Sequence, residues 1–524
     1  MQRKIRLSCL LFRTIARMAH LRTRAGRKSA KGAFRSNHLR HHAGLFFLLC
    51  GFVVASAGCS GALATKPSEQ AVNAHEGVVL KVACPCEVTA EIVKRFAPGW
   101  ARRSGARVEV LAYDPNLSPA SGGSVDAWVI PPWQLGRWAA TDELLPVPES
   151  FTRRDNSTWS TLLPLYRDQA LLWGQTAYAL PLLGEAPLCF YRTDLFAEAK
   201  LDPPTTWEDF EKAAAYFHEH SPVGSQGSSL PPLPANADAL DREYFTVVAP
   251  FVRRAAHEGD RRPTAEAETF SFHYDTATGK SRIAEPGFIH ALALLQRLQG
   301  FRPRGASPAP EEAFRDGRAV LCLADASWIA KFQKSPSVRD KFGIAPTPGA
   351  NVLFDYHSGE SVRLDRVNRV PYLGAAGWLM VVPKSTSHAD AAFAFLEDLN
   401  SIETSRQIVS NASWGGGAIR DEHLTKPEIW NSYNLSSAQR GRLVEEMKQT
   451  VACPGLKNPA FRLRTPDEQE HEQALIVELR AALLDGKNPG QALKAASNRW
   501  DELDQRVPLE ERKTQYLRSL ELHP

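Results

Sequence analysis

The sequence predicts an α/β protein of two lobes, with mainly parallel sheets flanked by helices, and three observations predict it. Beyond residue 58 lie 466 of the chain's 524 residues, more than one hydrophobic core normally organises. That part opens with a β-α-β unit. Strands then go on alternating with helical stretches, the pattern of a parallel sheet covered by helices on both faces.

Taken in order, VVLKVAC (78–84) reads as a buried strand, EVTAEIVKRFAPGWARR (87–103) as an amphipathic helix and ARVEVLAY (106–113) as a second strand. VDAWVI (125–130) is a third strand, and after Pro131-Pro132 a helix begins near Trp133. Ligands of such sheets sit beyond the carboxyl ends of the strands, so the loops Cys84–Glu87 and Pro131–Gln134 are placed to meet one. Thr206 and Asp209 form a helix N-cap pattern, with Trp207 as packing at the helix start. SPVGSQGSSLPPLPANA (221–237) opens a long loop extending to about 275. Further helices are expected at 286–298, 388–410 and from 467 to the end, with strands at 319–324 and 377–383. There is no internal repeat.

The first 58 residues carry 12 Lys or Arg and no Asp or Glu, then the apolar run AGLFFLLCGFVVASA (43–57). This is a signal-segment pattern, too short for a comfortable bilayer span. Translation starting at Met18 would shorten its basic part. Ser56-Ala57-Gly58-Cys59 resembles a bacterial lipobox, in which the cysteine thiol is lipidated; an ordinary signal peptide with an incidental cysteine is the competing reading. Residues 59–76 then read as a flexible tether. The acidic residues of the remaining chain outnumber its basic ones by seven, and no basic stripe is interleaved with aromatics, so nucleic acid is not expected as a partner.

Several pieces carry a resemblance in order and spacing: AYALPLLGEAPLCFYRTDLFAEAKLDPPTTWEDFEKAA, FRDGRAVLCLADASW, FGIAPTPG, GWLMVVPKSTSHADAAFAFLEDLNS and LLDGKNPGQALKAASNRWDEL. Over nearly all of 78–505 the chain resembles the extracellular solute-binding proteins of ABC importers, the group of maltose-binding-protein-like sugar receptors. The resemblance implies a periplasmic-binding-protein-like fold of the class II type with a ligand cleft between hinged lobes. It places the first lobe at 77–183 plus 377–420 and the second at 184–376 plus 421–510. Crossings are expected near 181–188, 372–378 and 420.

The resemblance also implies site residues. Trp133 and Gln134 fall where sugar-binding relatives contact ligand after the third strand, Trp328 closes the turn Ala324-Asp325-Ala326-Ser327-Trp328, and Glu185 matches an acidic contact in the first crossing. Sugars pack their C–H faces on aromatic rings and hydrogen-bond through their hydroxyls, so Trp133, Trp328, Trp378 and Trp414 are candidate platforms, with Asp325 and Glu87 as polar contacts. Core packing competes for each tryptophan, and a solvated hinge charge for Glu185. The glycines of NASWGGGAIR (411–420) would let backbone amides approach a ligand. Relatives carry charged and polar residues in the first loop, where this chain has Cys84-Pro85-Cys86-Glu87, a departure that bears on which solute is bound.

No GxSxG, HExxH, P-loop or strand-following GxGxxG motif is present, and neither an enzyme nor a cofactor is expected. Cys84-Pro85-Cys86 lacks the partner ligands of a zinc site, so no metal is expected. The five cysteines beyond Cys59 are too scattered for a disulfide framework, though one or two bridges remain open. The expected function is capture of a small solute, a sugar or oligosaccharide first, for delivery to the transmembrane permease subunits of an ABC importer. The expected place is the periplasmic side of a bacterial membrane, held through a lipid on Cys59. A two-lobed sensor reporting to a membrane kinase and a receptor for a non-sugar solute are the alternatives.

Overall fold

The computed structural model describes residues 74–113, 124–153, 155–220, 227–257, 260, 265–453 and 455–523. The basic segment, Cys59 and most of the tether lie outside the described residues. Among the described residues no helix is long and apolar enough to cross a membrane.

Strand β1 (Val79–Cys84) buries Leu80, Val82 and Ala83, and helix α1 (Glu87–Ser104) covers it through Ile92, Val93, Ala97 and Trp100. Burying each large apolar side chain contributes about 2 kcal/mol as an upper estimate. Gly105, at φ 77°, ends α1 in the left-handed conformation, where its N–H meets the Ala101 carbonyl. β2 (Arg107–Ala112) and β3 (Ala127–Ile130) flank β1, both parallel to it. Helix α2 (Gln134–Ala140) follows, and Trp138 packs edge-on against Trp128 at 5.7 Å. β4 (Ala179–Leu183) is wholly buried and leads out of the first lobe.

The second lobe begins with β5 (Pro187–Arg192). Helix α3 (Trp207–His220) starts with the expected reciprocal cap: the Asp209 N–H donates to Thr206 Oγ1 and the Thr206 N–H to Asp209 Oδ2, both at 3.1 Å. The stretch expected to be a loop from 221 to 275 instead contains α4 (Ala237–Val252), capped by Asn236 and buried from Tyr244 to Val252. Its nearly continuous apolar run erases helical periodicity, because α4 is covered all round. α5 (Pro286–Gln299) lies against it. β6 (Leu321–Asp325) and β7 (Phe342–Pro346) pair with β5 on either side. β8 (Ala350–Phe354) and β9 (Ser361–Asn368) form a separate hairpin.

The chain then returns as β10 (Trp378–Val381), inserted between β3 and β4 to give the order β2-β1-β3-β10-β4. Helices α6 (Ala389–Leu399) and α7 (Ile402–Ser410) follow, split at Asn400 where one run was expected. Helix α8 (Ser437–Met447) packs on β7, and α9 (Glu468–Asp485), α10 (Pro489–Asp504) and α11 (Leu509–Ser519) end the chain.

The α/β, two-lobed expectation stands, while the pairing is more mixed than mainly parallel. β1, β2 and β3 are parallel; β10 is antiparallel to β3 and β4, and β5 is antiparallel to both its neighbours. The cause is the crossing itself. β4 runs toward the junction of the lobes and β10 runs away from it, so two neighbours joined through the other lobe must oppose. β5 leaves the junction and β6 returns to it.

Candidate functional site

Three crossings meet at one point. Gly184 and Gly417 are paired as an antiparallel bridge, with the Gly417 N–H donating to the Gly184 carbonyl at 2.9 Å. A Cβ on Gly417 would stand 2.1 Å from the Glu185 carbonyl oxygen, so only glycine allows this approach. The Glu185 carboxylate accepts the Gly374 N–H at 2.6 Å and the Ala376 N–H at 3.2 Å, which ties the first crossing to the second. Asp325, at the end of β6, accepts the Ala186 N–H at 2.7 Å and the Ser327 N–H at 2.9 Å. Glu185 is 3 % exposed, and burial pushes its carboxyl up to about 8 despite the two backbone donors, with Asp325 adding to the rise.

Beside this junction, on its β5–β6 side, lies a cavity that encloses about 60 Å³ and reaches about 830 Å³ when its open mouth is counted. Glu185, Asp325 and Ala376 line its hinge side. α3 contributes Trp207 and Phe210, and α4 contributes Arg242, Glu243 and Thr246. Two of these side chains have unused hydrogen-bonding capacity. The Trp207 indole N–H is buried without an acceptor, and Arg242 makes no ion pair or side-chain hydrogen bond among the described residues although its charge favours ionisation of Glu185 and Glu311. Glu243, by contrast, is paired with Arg302. Aromatic walls beside free donors and buried carboxyls can hold a polar solute that offers both C–H surface and hydroxyl acceptors.

Of the residues singled out in the sequence, the cavity unites Glu185 and Asp325. Trp328, Trp378 and Trp414 surround the junction without lining the cavity, each half-buried. Trp328 stacks on Phe332 and carries the Lys331 ammonium 3.8 Å from its ring centre, Trp378 starts β10 opposite Leu183, and Trp414 meets Phe96 edge-on at 6.0 Å. Trp133 and Gln134 open α2, where the Arg462 guanidinium covers the Trp133 ring at 3.9 Å. Arg462 is held in turn by Asp238 at 2.7 Å and Glu472 at 2.9 Å. Glu87 is exposed at the first residue of α1. Cys84 is buried, its thiol pushed up by burial to about 12, and Cys86 is exposed 3.5 Å from Thr89 Oγ1; both are free thiols. A thiol so hard to ionise is a poor metal ligand or nucleophile.

Arg242, Glu243 and Thr246 escaped the sequence reading because their helix was taken for a loop, and Trp207 because it was assigned to packing alone. The signal was present in DREYFTVVAPFV (241–252), an apolar run of helical length preceded by charges.

Comparison with known proteins agrees with this geometry. Residues 112–435 match the model of a family described as bacterial extracellular solute-binding protein. Among solved structures, an ABC transporter solute-binding protein from Agrobacterium radiobacter K84 in complex with ribitol is similar at a TM-score of 0.61 and 18 % identity, covering 82 % of this chain and 99 % of that one. Maltose-bound MalE3 of T. maritima gives 0.59 and 17 %, covering 81 % and 100 %. The sugar-binding protein MalE of Xanthomonas citri gives 0.60 and 17 %, covering 82 % and 98 %. At such identities the likeness concerns the fold.

Proposed function

This chain belongs to the family of bacterial extracellular solute-binding proteins, and from that premise we propose that it captures a sugar, oligosaccharide or polyol for an ABC importer. The observation that carries the reading is the cavity on the second-lobe side of the junction, lined by residues between 185 and 376, where Arg242 and the Trp207 N–H face no protein partner beside the buried carboxyl of Glu185. A polyhydroxylated solute supplies acceptors to the two donors and C–H faces to Trp207 and Phe210. The relatives whose names include ribitol and maltose support that class. Trp328, Trp378 and Trp414 would border the solute when the lobes close, and Trp133, Gln134 and Glu87 would extend the contact for longer oligomers. The lobes would divide at 183/184, 376/377 and 420/421. Closure is then what the transmembrane permease subunits sense, and a lipid on Cys59 keeps the receptor beside them.

Thermal-shift screening against mono- and oligosaccharides, polyols, amino acids and polyamines tests this. A ligand at 100 times its dissociation constant adds about 2.7 kcal/mol of stability. Stabilisation by sugars or polyols is the expected result. A response confined to amino acids or polyamines overturns the carbohydrate class.

A further inference from the structure

A second concavity lies in the second lobe, away from the junction. Its walls are the segment after α4 (254–257), the strand β9 with Arg369, and the turn residues Gln449, Cys453 and Lys457. The groove encloses about 1080 Å³, at the upper edge of the roughly 300–1,000 Å³ of a small-molecule site.

The charge is unusual for this chain. Arg254, Arg363, Arg366 and Lys457 line the groove, all exposed, and none makes an ion pair or side-chain hydrogen bond among the described residues. Arg369 adds a fifth cation, donating only to the Thr347 and Thr205 carbonyls at 3.3 Å. Of the acidic side chains there, Asp260 already accepts the His257 N–H at 2.7 Å and Glu268 lies 3.8 Å from His357. Asp365 is the remaining one. An excess of unpaired guanidinium groups in a chain whose body is acidic marks a surface for carboxylate or phosphate.

The backbone narrows the choice. Residues 362–369 all line the groove, although alternate residues of a strand face opposite sides. β9 therefore presents its edge. Among the described strands it pairs with β8 alone, and a register shift leaves Leu364, Asp365, Arg366 and Val367 with no partner in that ladder. The wall thus offers both N–H donors and carbonyl acceptors. A polyphosphate supplies acceptors only, whereas a peptide backbone answers both. We infer that this groove binds an extended, acidic peptide segment of a partner protein, its carboxylates meeting Arg254, Arg363, Arg366 and Lys457 and its backbone running along β9.

The test uses the full-length chain and a labelled peptide of four Glu-Val repeats, with binding read by fluorescence anisotropy. Saturable binding is expected, weakening as salt rises. Methylating alternate backbone nitrogens of the peptide should weaken it by about tenfold while preserving every charge. Arg363→Glu with Arg366→Glu should do the same with the thermal midpoint unchanged, since both side chains are exposed and unpaired. Absence of binding, equal affinity for the N-methylated peptide, or displacement by sodium triphosphate at equal concentration would each overturn the proposal, the last two by marking a site for anions in general.

Discussion

The Glu185 carboxylate lies 2.6 Å from the Gly374 N–H, so a buried side chain of the first crossing holds the backbone of the second. Its carboxyl is raised from 4.5 to about 8 by burial. A raised acid is protonated in the folded protein where the unfolded chain is already ionised, so folding takes up a proton and stability falls as pH rises between those values. Replacing Glu185→Gln should remove that fall. Thermal midpoints at pH 5 and pH 8 check it: the parent should lose more between them than the variant, and equal losses would take the Glu185 proton out of the account.

Two glycine substitutions should have opposite signs. In Gly417→Ala the new methyl meets the Glu185 carbonyl oxygen at 2.1 Å, backbone that cannot give way without parting two crossings, and a loss of about 3 kcal/mol is expected. Gly441, within α8, has nothing within 4 Å of an added Cβ, and Gly441→Ala should gain about 0.5–1 kcal/mol through helix propensity. Urea unfolding measures both.

Solute capture should depend on Arg242 more than stability does, while Trp207, 1 % exposed, serves the core as well as the site. Arg242→Ala removes a cation with no protein partner, and a weakening of about tenfold in solute binding is expected with little change in unfolding. Trp207→Phe keeps an aromatic wall and deletes the N–H, so affinity should drop by about 1 kcal/mol. Calorimetric titration with whichever sugar or polyol stabilises the protein checks both, and unchanged affinity in the two variants would move the solute elsewhere.

Arg420 is fully buried and meets only neutral acceptors: Ser405 Oγ at 2.8 Å, Thr161 Oγ1 at 2.8 Å, Asn400 Oδ1 at 3.1 Å and the carbonyls of Thr158 and Asn400. It binds the end of the third crossing to α7 and to the 157–161 turn. Arg420→Met strands these acceptors and should cost about 3–5 kcal/mol. A variant within 1 kcal/mol of the parent in urea unfolding would show that water takes over the guanidinium's bonds.

The strands and helices of the first lobe were legible because their periods are clean, with Ile92, Val93, Ala97 and Trp100 at helical spacing, and in the second lobe the cap at Thr206 announces α3. α4 was not, since burial on every side replaces periodicity with a plain apolar run. The antiparallel strands were hidden for another reason, because direction is decided by where the chain re-enters a sheet, which local sequence does not encode. At the site, the resemblance pointed separately to Glu185 in the first crossing and to the turn Ala324–Trp328 that holds Asp325, and the fold brings the two together. Arg242 and the free indole N–H of Trp207 depend on which partners are missing, a property of the assembled packing.

The insertion of β10 between β3 and β4 bears on timing. The first sheet lacks its fourth strand until a segment more than two hundred residues beyond β3 has been made, so the facing edges of β3 and β4 stay unpaired until then. Closing so long a loop is slow. For a protein of an extracellular family that delay is useful: a chain that finishes its first lobe late remains threadable while it is being moved out of the cell.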